Sequence, residues 1–167
     1  TPCLGRPPLF FTRIEDSHGN IVAKFQPLMN EVISEESSYK MLDMLQAVVQ
    51  GGTGGRLRYH YNLTGEIGGK TGTTNKNSDG WFMGFTPQLV NGCWVGGEDR
   101  DIHFDSMSMG QGATMALPIW AYFMQKVFAD PRLGYTQKAT FDLPEGFDPC
   151  AKDDGGMNEY GIDEVYE

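Results

Sequence analysis

Lys70-Thr71-Gly72-Thr73-Thr74, followed after a turn by Asp79-Gly80-Trp81-Phe82-Met83-Gly84-Phe85-Thr86-Pro87, is the stretch on which the reading of this chain turns. A cation, hydroxyls and a glycine are crowded together ahead of an aromatic strand. That order predicts the polar edge of an apolar sheet. Lys70 offers a point charge for an anion or for proton traffic, and Thr71 and Thr73 offer hydroxyl donors. Gly72 removes a side chain, so that a ligand can approach the backbone. Such an edge suits a substrate bound along an extended backbone. Composition alone leaves open a loop that merely holds lysine and threonine.

Outward from this stretch, the pattern predicts a three-stranded antiparallel meander over roughly 66–73, 81–86 and 89–97. Turn residues at 75–79 and at Pro87-Gln88 separate the strands. Upstream, Ser34 opens a helix in which Met41, Leu42, Leu45, Val48 and Val49 recur at helical spacing, and Gly51-Gly52 stops it. Before that, Leu9 to Ile14 and Ile21 to Phe25 read as a hairpin around Asp16-Ser17-His18-Gly19-Asn20. Pro27 ends its second strand, and residues 28–33 read as a connection. Residues 56–62 are polar and aromatic, without a periodic signal. Downstream, 98–112 read as a polar, glycine-bounded loop. A helix from about Thr114 to Phe128 follows, with an apolar face of Leu117, Trp120, Phe123, Met124, Val127 and Phe128. Pro118 is tolerable near its first turn. Past Pro131 the pattern decays into an acidic, glycine-rich tail, expected to be mobile. The expected division is a folded part at 1–131 and the tail at 132–167. The fold class is α+β, a mostly antiparallel sheet with helices packed on it.

The 167 residues suffice for one ordinary core, and 40% hydrophobic with 12% aromatic residues argue for a folded globule. A formal net charge of −9 argues against nucleic-acid binding, which needs a basic face, and gives no polybasic membrane patch. No run has the apolar length of a membrane span, and Thr1-Pro2-Cys3 does not start a signal peptide. Any anchor or export signal is therefore expected outside this sequence. Cys3, Cys93 and Cys150 are too few and scattered for a disulfide framework. A Cys3–Cys150 bridge is left open, and Cys93 reads as a small side chain in an apolar strand.

Five segments in order carry a resemblance: Val48-Val49 with Gly52-Thr53-Gly54, then Gly69 to Thr74, then Asp79 with Trp81 to Pro87. Trp94-Val95-Gly96 follows, and then Gly110 to Ala113 leading to Ala116-Leu117-Pro118-Ile119-Trp120 and Phe123-Met124. Together they resemble the penicillin-binding D,D-transpeptidases, most of all the class A, bifunctional penicillin-binding proteins that build cell wall. The resemblance runs from about Pro8 to Phe128. It implies the C-terminal half of a penicillin-binding, β-lactamase-like fold.

Two of that family's three motifs are in question. Ser-x-Asn occurs nowhere, and Ser-x-x-Lys, which supplies nucleophile and base, occurs once, as Ser37-Ser38-Tyr39-Lys40. Its helix directly precedes the glycine turn, where the family has a supporting helix; the family's nucleophile lies far upstream. Ser37 therefore reads as part of an ordinary helix start, with Ser34 as N-cap and Glu35 and Glu36 in the first turn. The resemblance then implies the C-terminal portion of a longer enzyme, unable to perform acyl transfer by itself.

At matching positions, the resemblance assigns Lys70 and Thr73 to catalysis and Thr71, Gly72 and Thr73 to substrate binding. Lys70 supplies positive potential and proton transfer, the threonine hydroxyls hold a carboxylate, and the Thr73 N–H is one oxyanion donor. The implied partners are a D-Ala-D-Ala type peptidoglycan stem peptide, β-lactams, and the rest of the domain carrying Ser-x-x-Lys. The implied place is the extracytoplasmic, periplasmic face of a membrane, through an anchor elsewhere in the parent protein. No cofactor is implied. Rival readings are a non-catalytic module that senses peptide or β-lactam, and a β-lactamase or D,D-carboxypeptidase relative.

Other motifs carry less. A phosphate-binding loop ending in Gly69-Lys70-Thr71 requires glycine at position 64, where Thr64 stands, and it would run into a helix rather than a turn. Glu98, Asp99, Asp101, His103 and Asp105 gather acidic groups around a histidine but meet no metal-ligand spacing, so no metal is expected.

Overall fold

A computed structural model of the chain describes residues 3–5, 9–26 and 30–148. In chain order its elements are β1 (Cys3–Gly5), β2 (Arg13–Glu15), β3 (Ile21–Lys24), β4 (Asn30–Ile33), α1 (Glu35–Gln50) and α2 (Arg56–Tyr59). Then come β5 (Gly68–Thr73), β6 (Asp79–Phe85), β7 (Val90–Gly96), α3 (Met107–Gly110) and α4 (Gly112–Ala129). β1 pairs with β4 and β2 with β3 as separate antiparallel ribbons, while β5, β6 and β7 form one antiparallel sheet in that order.

The local signals act as their chemistry requires. The Ser34 hydroxyl accepts the Ser37 N–H at 3.3 Å, and Glu35 and Glu36 stand at the positive end of the α1 dipole. Asp16 holds the β2–β3 turn by accepting the N–H groups of His18 (2.8 Å) and Asn20 (2.9 Å), with Gly19 at φ +84°. Those hydrogen bonds, led by the one from the Asn20 side chain, draw the Asp16 carboxyl below its ordinary pKa.

Period-two alternation divides the sheet between two environments. In β6, Gly80, Phe82 and Gly84 are buried, whereas Trp81 and Met83 are exposed. Phe82 packs against Trp120 of α4, edge to face at 5.3 Å, within a core that also holds Val49, Leu57, Leu63, Ile67, Leu117 and Met124. α4 can press this closely because the sheet carries glycine at its points of nearest approach. A Cβ on Gly84 would lie 2.5 Å from the Trp120 ring, and one on Gly69 would lie 2.8 Å from the Met83 carbonyl oxygen. The Trp120 indole N–H donates to Asn91 O at 3.2 Å, so the buried ring keeps its polar atom satisfied. Arg58, its pKa lowered by burial, spans the loop into β5 by donating to the carbonyls of Leu63 and Gly65.

Several expectations are corrected. The segment 28–33 is not a plain connection, because Asn30–Ile33 pairs with Cys3–Gly5. The first hairpin strand is confined to Arg13–Glu15 rather than beginning at Leu9. Residues 56–59 form a turn of helix, and 107–110 form another inside the expected loop. α4 begins at Gly112, so Pro118 is its seventh residue and stands beyond the first turn, yet the helix continues through it. Past Pro131 the described chain still touches the sheet. Thr64 N–H donates to Gln137 Oε1 at 2.7 Å, the Phe141 N–H donates to Glu66, and the rings of Phe85 and Phe141 meet at 5.8 Å. Most of the expected acidic tail, from 149 onward, lies outside the described residues, as does Cys150 of the open Cys3–Cys150 question.

The glycine requirement under Trp120 gives a direct expectation. Gly84→Ala is expected to lower stability by about 1–3 kcal/mol, since neither the buried indole nor the backbone can yield. Gly51→Ala, with nothing within 4 Å of the added carbon, is expected to change it by less than about 0.5 kcal/mol. Urea unfolding of the two variants checks the difference, read as a fall in midpoint for Gly84→Ala at constant slope.

Candidate functional site

Among the described residues, β5 is the outer strand of its sheet and pairs only with β6. The hydrogen-bonding phase follows from one bond at its end, where Thr74 N–H donates to Asp79 O at 3.1 Å. Bonded and non-bonded pairs alternate in an antiparallel ladder. Counting back along the register, Gly72↔Trp81 and Lys70↔Met83 are the bonded pairs, and Thr73↔Gly80 and Thr71↔Phe82 are the non-bonded ones. The N–H and C=O groups of Thr71 and Thr73 therefore point away from β6, into the open edge.

The same register distributes the side chains. Thr71 and Thr73 lie on the helix side of the sheet, level with Phe82 and Gly80, while Lys70 and Gly72 lie on the open side, level with Met83 and Trp81. The lysine nevertheless reaches the edge, since its exposed Nζ donates to Thr71 O at 2.8 Å. The ammonium group and the outward amides thus share the outer edge of β5, with both hydroxyls on its helix-facing side.

Each threonine is held by a different neighbouring element. Thr71 Oγ1 lies 2.9 Å from Thr53 Oγ1, in the glycine turn after α1. That turn is closed by Gly54 N–H donating to Val48 O (2.9 Å) and by Gly55 N–H donating to Gly52 O (3.0 Å). Thr73 Oγ1 accepts the N–H of Gly112, the first residue of α4, at 3.0 Å. Arg56 of α2 donates to Ala113 O at 3.4 Å, fixing the same helix start from the other side. Sequence reasoning assigned no role to Thr53, Arg56 or Gly112. The signal for Thr53 and Gly112 was only the glycine-bounded segments Gly52-Thr53-Gly54 and Gly110-Gln111-Gly112, and Arg56 had none.

A polar clasp sets where β5 ends. The Asp79 carboxylate accepts from Trp94 Nε1 at 3.2 Å and from the Ser78 hydroxyl at 3.1 Å, and the Asp79 N–H donates to Thr74 Oγ1 at 2.9 Å. The turn it closes is tied to the following loop through Phe104 N–H donating to Asn77 O at 3.4 Å. Beneath that loop is an apolar cavity of about 320 Å³ among Val95, Ile102, Phe104 and Met115, with His103 and Ser78 on its lining. None of its lining residues belongs to β5. The aromatic pair Trp81-Phe82 is split by the pleat, Phe82 into the core and Trp81 into the open face beside Trp94 at 6.5 Å.

Ser37 and Lys40 are not brought to this rim. Ser37 is in the first turn of α1, about 20 Å along the helix axis from the glycine turn. Its Oγ accepts the Ser34 hydroxyl at 2.9 Å, and Lys40 Nζ is paired with Glu36 at 2.6 Å. Nor is Cys93 poised for attack, since burial pushes its thiol pKa up and disfavours the thiolate. Among the described residues no cluster of His, Cys, Asp and Glu could hold a metal ion.

A family model described as "Penicillin binding protein transpeptidase domain" matches residues 5–97. Penicillin-binding protein 1A of Aquifex aeolicus is 38% identical over 120 residues, covering 72% of this chain and 16% of the relative. Penicillin-binding protein 1A of Neisseria gonorrhoeae is 37% identical over 143 residues, covering 80% of this chain and 16% of the relative. The chain thus spans under a fifth of the length of these relatives. In fold it is similar to the crystal structure of penicillin-binding protein 1A from Haemophilus influenzae, with a TM-score of 0.62 over 84% of this chain and 25% of that one, at 22% identity. Matched over more than half its length, with the Lys70–Thr73 strand inside the match, the chain belongs to the penicillin-binding protein transpeptidase domain family.

Proposed function

We propose that this chain is the C-terminal portion of a serine D,D-transpeptidase that cross-links peptidoglycan stem peptides and is acylated by β-lactams. The observation that carries the proposal is the free rim of β5, where the amides of Thr71 and Thr73 point outward between two hydroxyls and an ammonium group. An extended peptide adds to such an edge by main-chain pairing, which gives register without demanding a particular side chain. Its C-terminal carboxylate is held by the Thr71 and Thr73 hydroxyls, and Gly72 leaves room for the peptide to lie close.

In this reading the nucleophile is a serine from a Ser-x-x-Lys segment elsewhere in the parent protein. Its oxygen attacks the scissile carbonyl, the amide bond breaks with a proton delivered to the leaving amine, and an ester to the enzyme remains for the acceptor amine. The outward N–H of Thr73 stabilises the oxyanion together with the serine's own N–H. Lys70 supplies positive potential and a proton-transfer partner. To do so it must leave the Thr71 carbonyl, at a cost of about 1 kcal/mol for one exposed hydrogen bond. In this reading the chain by itself performs no acyl transfer, because the nucleophile comes from another segment of the parent protein. None of its described helices is long and apolar enough to cross a membrane. We place the parent at the extracytoplasmic face of a membrane, where peptidoglycan is assembled, through an anchor outside this chain.

Fluorescent penicillin tests the assignment. Lys70→Ala in the complete protein is expected to lower the acylation rate at least about 10²-fold, the scale of removing one preorganised charge-stabilising group. An unchanged rate would refute the role of Lys70. Ser37→Ala is expected to leave labelling intact, and this chain alone is expected to take no covalent label. A label found on Ser37 would remove the need for an outside nucleophile and overturn the reading.

A further inference from the structure

We infer that the backbone N–H of Gly112 is a positioning group for carboxylate recognition, because it holds the Thr73 hydroxyl as an acceptor on the α4 side and leaves its proton free to donate to the ligand. The inference rests on the proposed role of Thr73 and adds to it a residue from another element. A hydroxyl has one proton to donate and two lone pairs to accept with. The Gly112 N–H donates to Thr73 Oγ1 at 3.0 Å, so one lone pair is engaged from the α4 side. Among the described residues no acceptor is recorded for that hydroxyl's own proton. That lone pair is closed to other donors, and the proton is left for an acceptor other than the Gly112 amide, which in the proposed site is the ligand carboxylate. Thr71 has no such polarity, since in its 2.9 Å contact with Thr53 either hydroxyl could donate.

Three further observations show why this contact is held in place. The first N–H groups of a helix need partners from outside the helix. The N-cap residue Gln111 supplies no side-chain cap, and Thr73 serves that need for Gly112 instead. Position 112 must also be glycine. A Cβ there would overlap the carbonyl oxygens of Gly72 and Trp81, so any side chain would lift the helix start off β5. Arg56 on Ala113 O and Trp120 over Gly84 brace the same helix at its start and middle. A rigid α4 therefore delivers its first N–H to the one hydroxyl at the end of β5.

The test compares acylation of the complete protein by benzylpenicillin and by its methyl ester, which lacks the carboxylate anion. Thr73→Ser is expected to keep the preference for the free acid, and Thr73→Val to lose it. Gly112→Ala shifts the helix start and is expected to slow both substrates, the free acid about tenfold more than the ester, as loss of one hydrogen bond to a charged group does. Gly112→Ala added to Thr73→Val is expected to leave the ratio of acid to ester rates where Thr73→Val put it. Equal slowing of acid and ester by Gly112→Ala, or a further change in the acid-to-ester ratio in the double variant, would overturn the inference. If Thr73→Val keeps the acid preference, the carboxylate role of Thr73 fails and the inference goes with it. Loss in Thr73→Val but not in a folded Gly112→Ala sinks the inference alone. Should Gly112→Ala not fold, hydrogen exchange at the Gly112 amide decides. Exchange about tenfold faster in Thr73→Val than in Thr73→Ser supports the contact, and equal exchange contradicts it.

Discussion

The close approach of α4 to the sheet is the contact on which the remaining geometry depends. Trp120 lies against Gly84 and Phe82, and Gly112 lies over the carbonyls of Gly72 and Trp81. These glycines are positions where a methyl group has no room. They bring a helix down until its core side chains and its first amide both meet the strands. One rigid body then sets the depth of the core and the orientation of the rim. Interiors packed to crystal density transmit such constraints, because neighbouring groups have no slack to absorb a shift.

From that contact the polarity of the sheet follows. The helix side receives Phe82 and the two threonines of β5, whereas the open side carries Lys70, Met83, Trp81 and Trp94. An outer strand with unpaired amides is ordinarily a liability, since it templates pairing with any other chain. Here Lys70 covers one of its carbonyls, and the edge is short, glycine-rich and polar. The same features that blunt unwanted pairing leave a surface on which one extended ligand can be held. In the proposed function, edge protection and ligand binding fall to the same residues.

Much of this was legible in the sequence. Ser34 with Glu35 and Glu36 announced α1, because a cap and a dipole act within one turn. The meander was legible because alternation and turn residues are local. The β4 strand was missed because its partner, Cys3–Gly5, is far away in sequence and neither segment alternates clearly. Pro118 marked an early helix position, whereas the true start at Gly112 is set by β5, and tertiary contact overrides propensity there. Gln137 and Phe141 carry no motif, and their contacts with residues 64 and 85 exist only after folding. The candidate site shows the same boundary. Lys70, Thr71, Gly72 and Thr73 could be named from their order alone. Thr53, Arg56 and Gly112 could not, since hydroxyl, guanidinium and amide become partners of the rim only once three elements meet.

The central claim is that the rim of β5 receives an extended ligand with its carboxylate at the threonines. A crystal structure of the complete protein acylated by a penicillin tests it most directly. The account predicts the ligand lying along β5, its carboxylate within hydrogen-bonding distance of the Thr71 and Thr73 hydroxyls and its ester carbonyl on the Thr73 N–H. A ligand seated away from β5, with that edge paired to another strand of the parent protein, would contradict it.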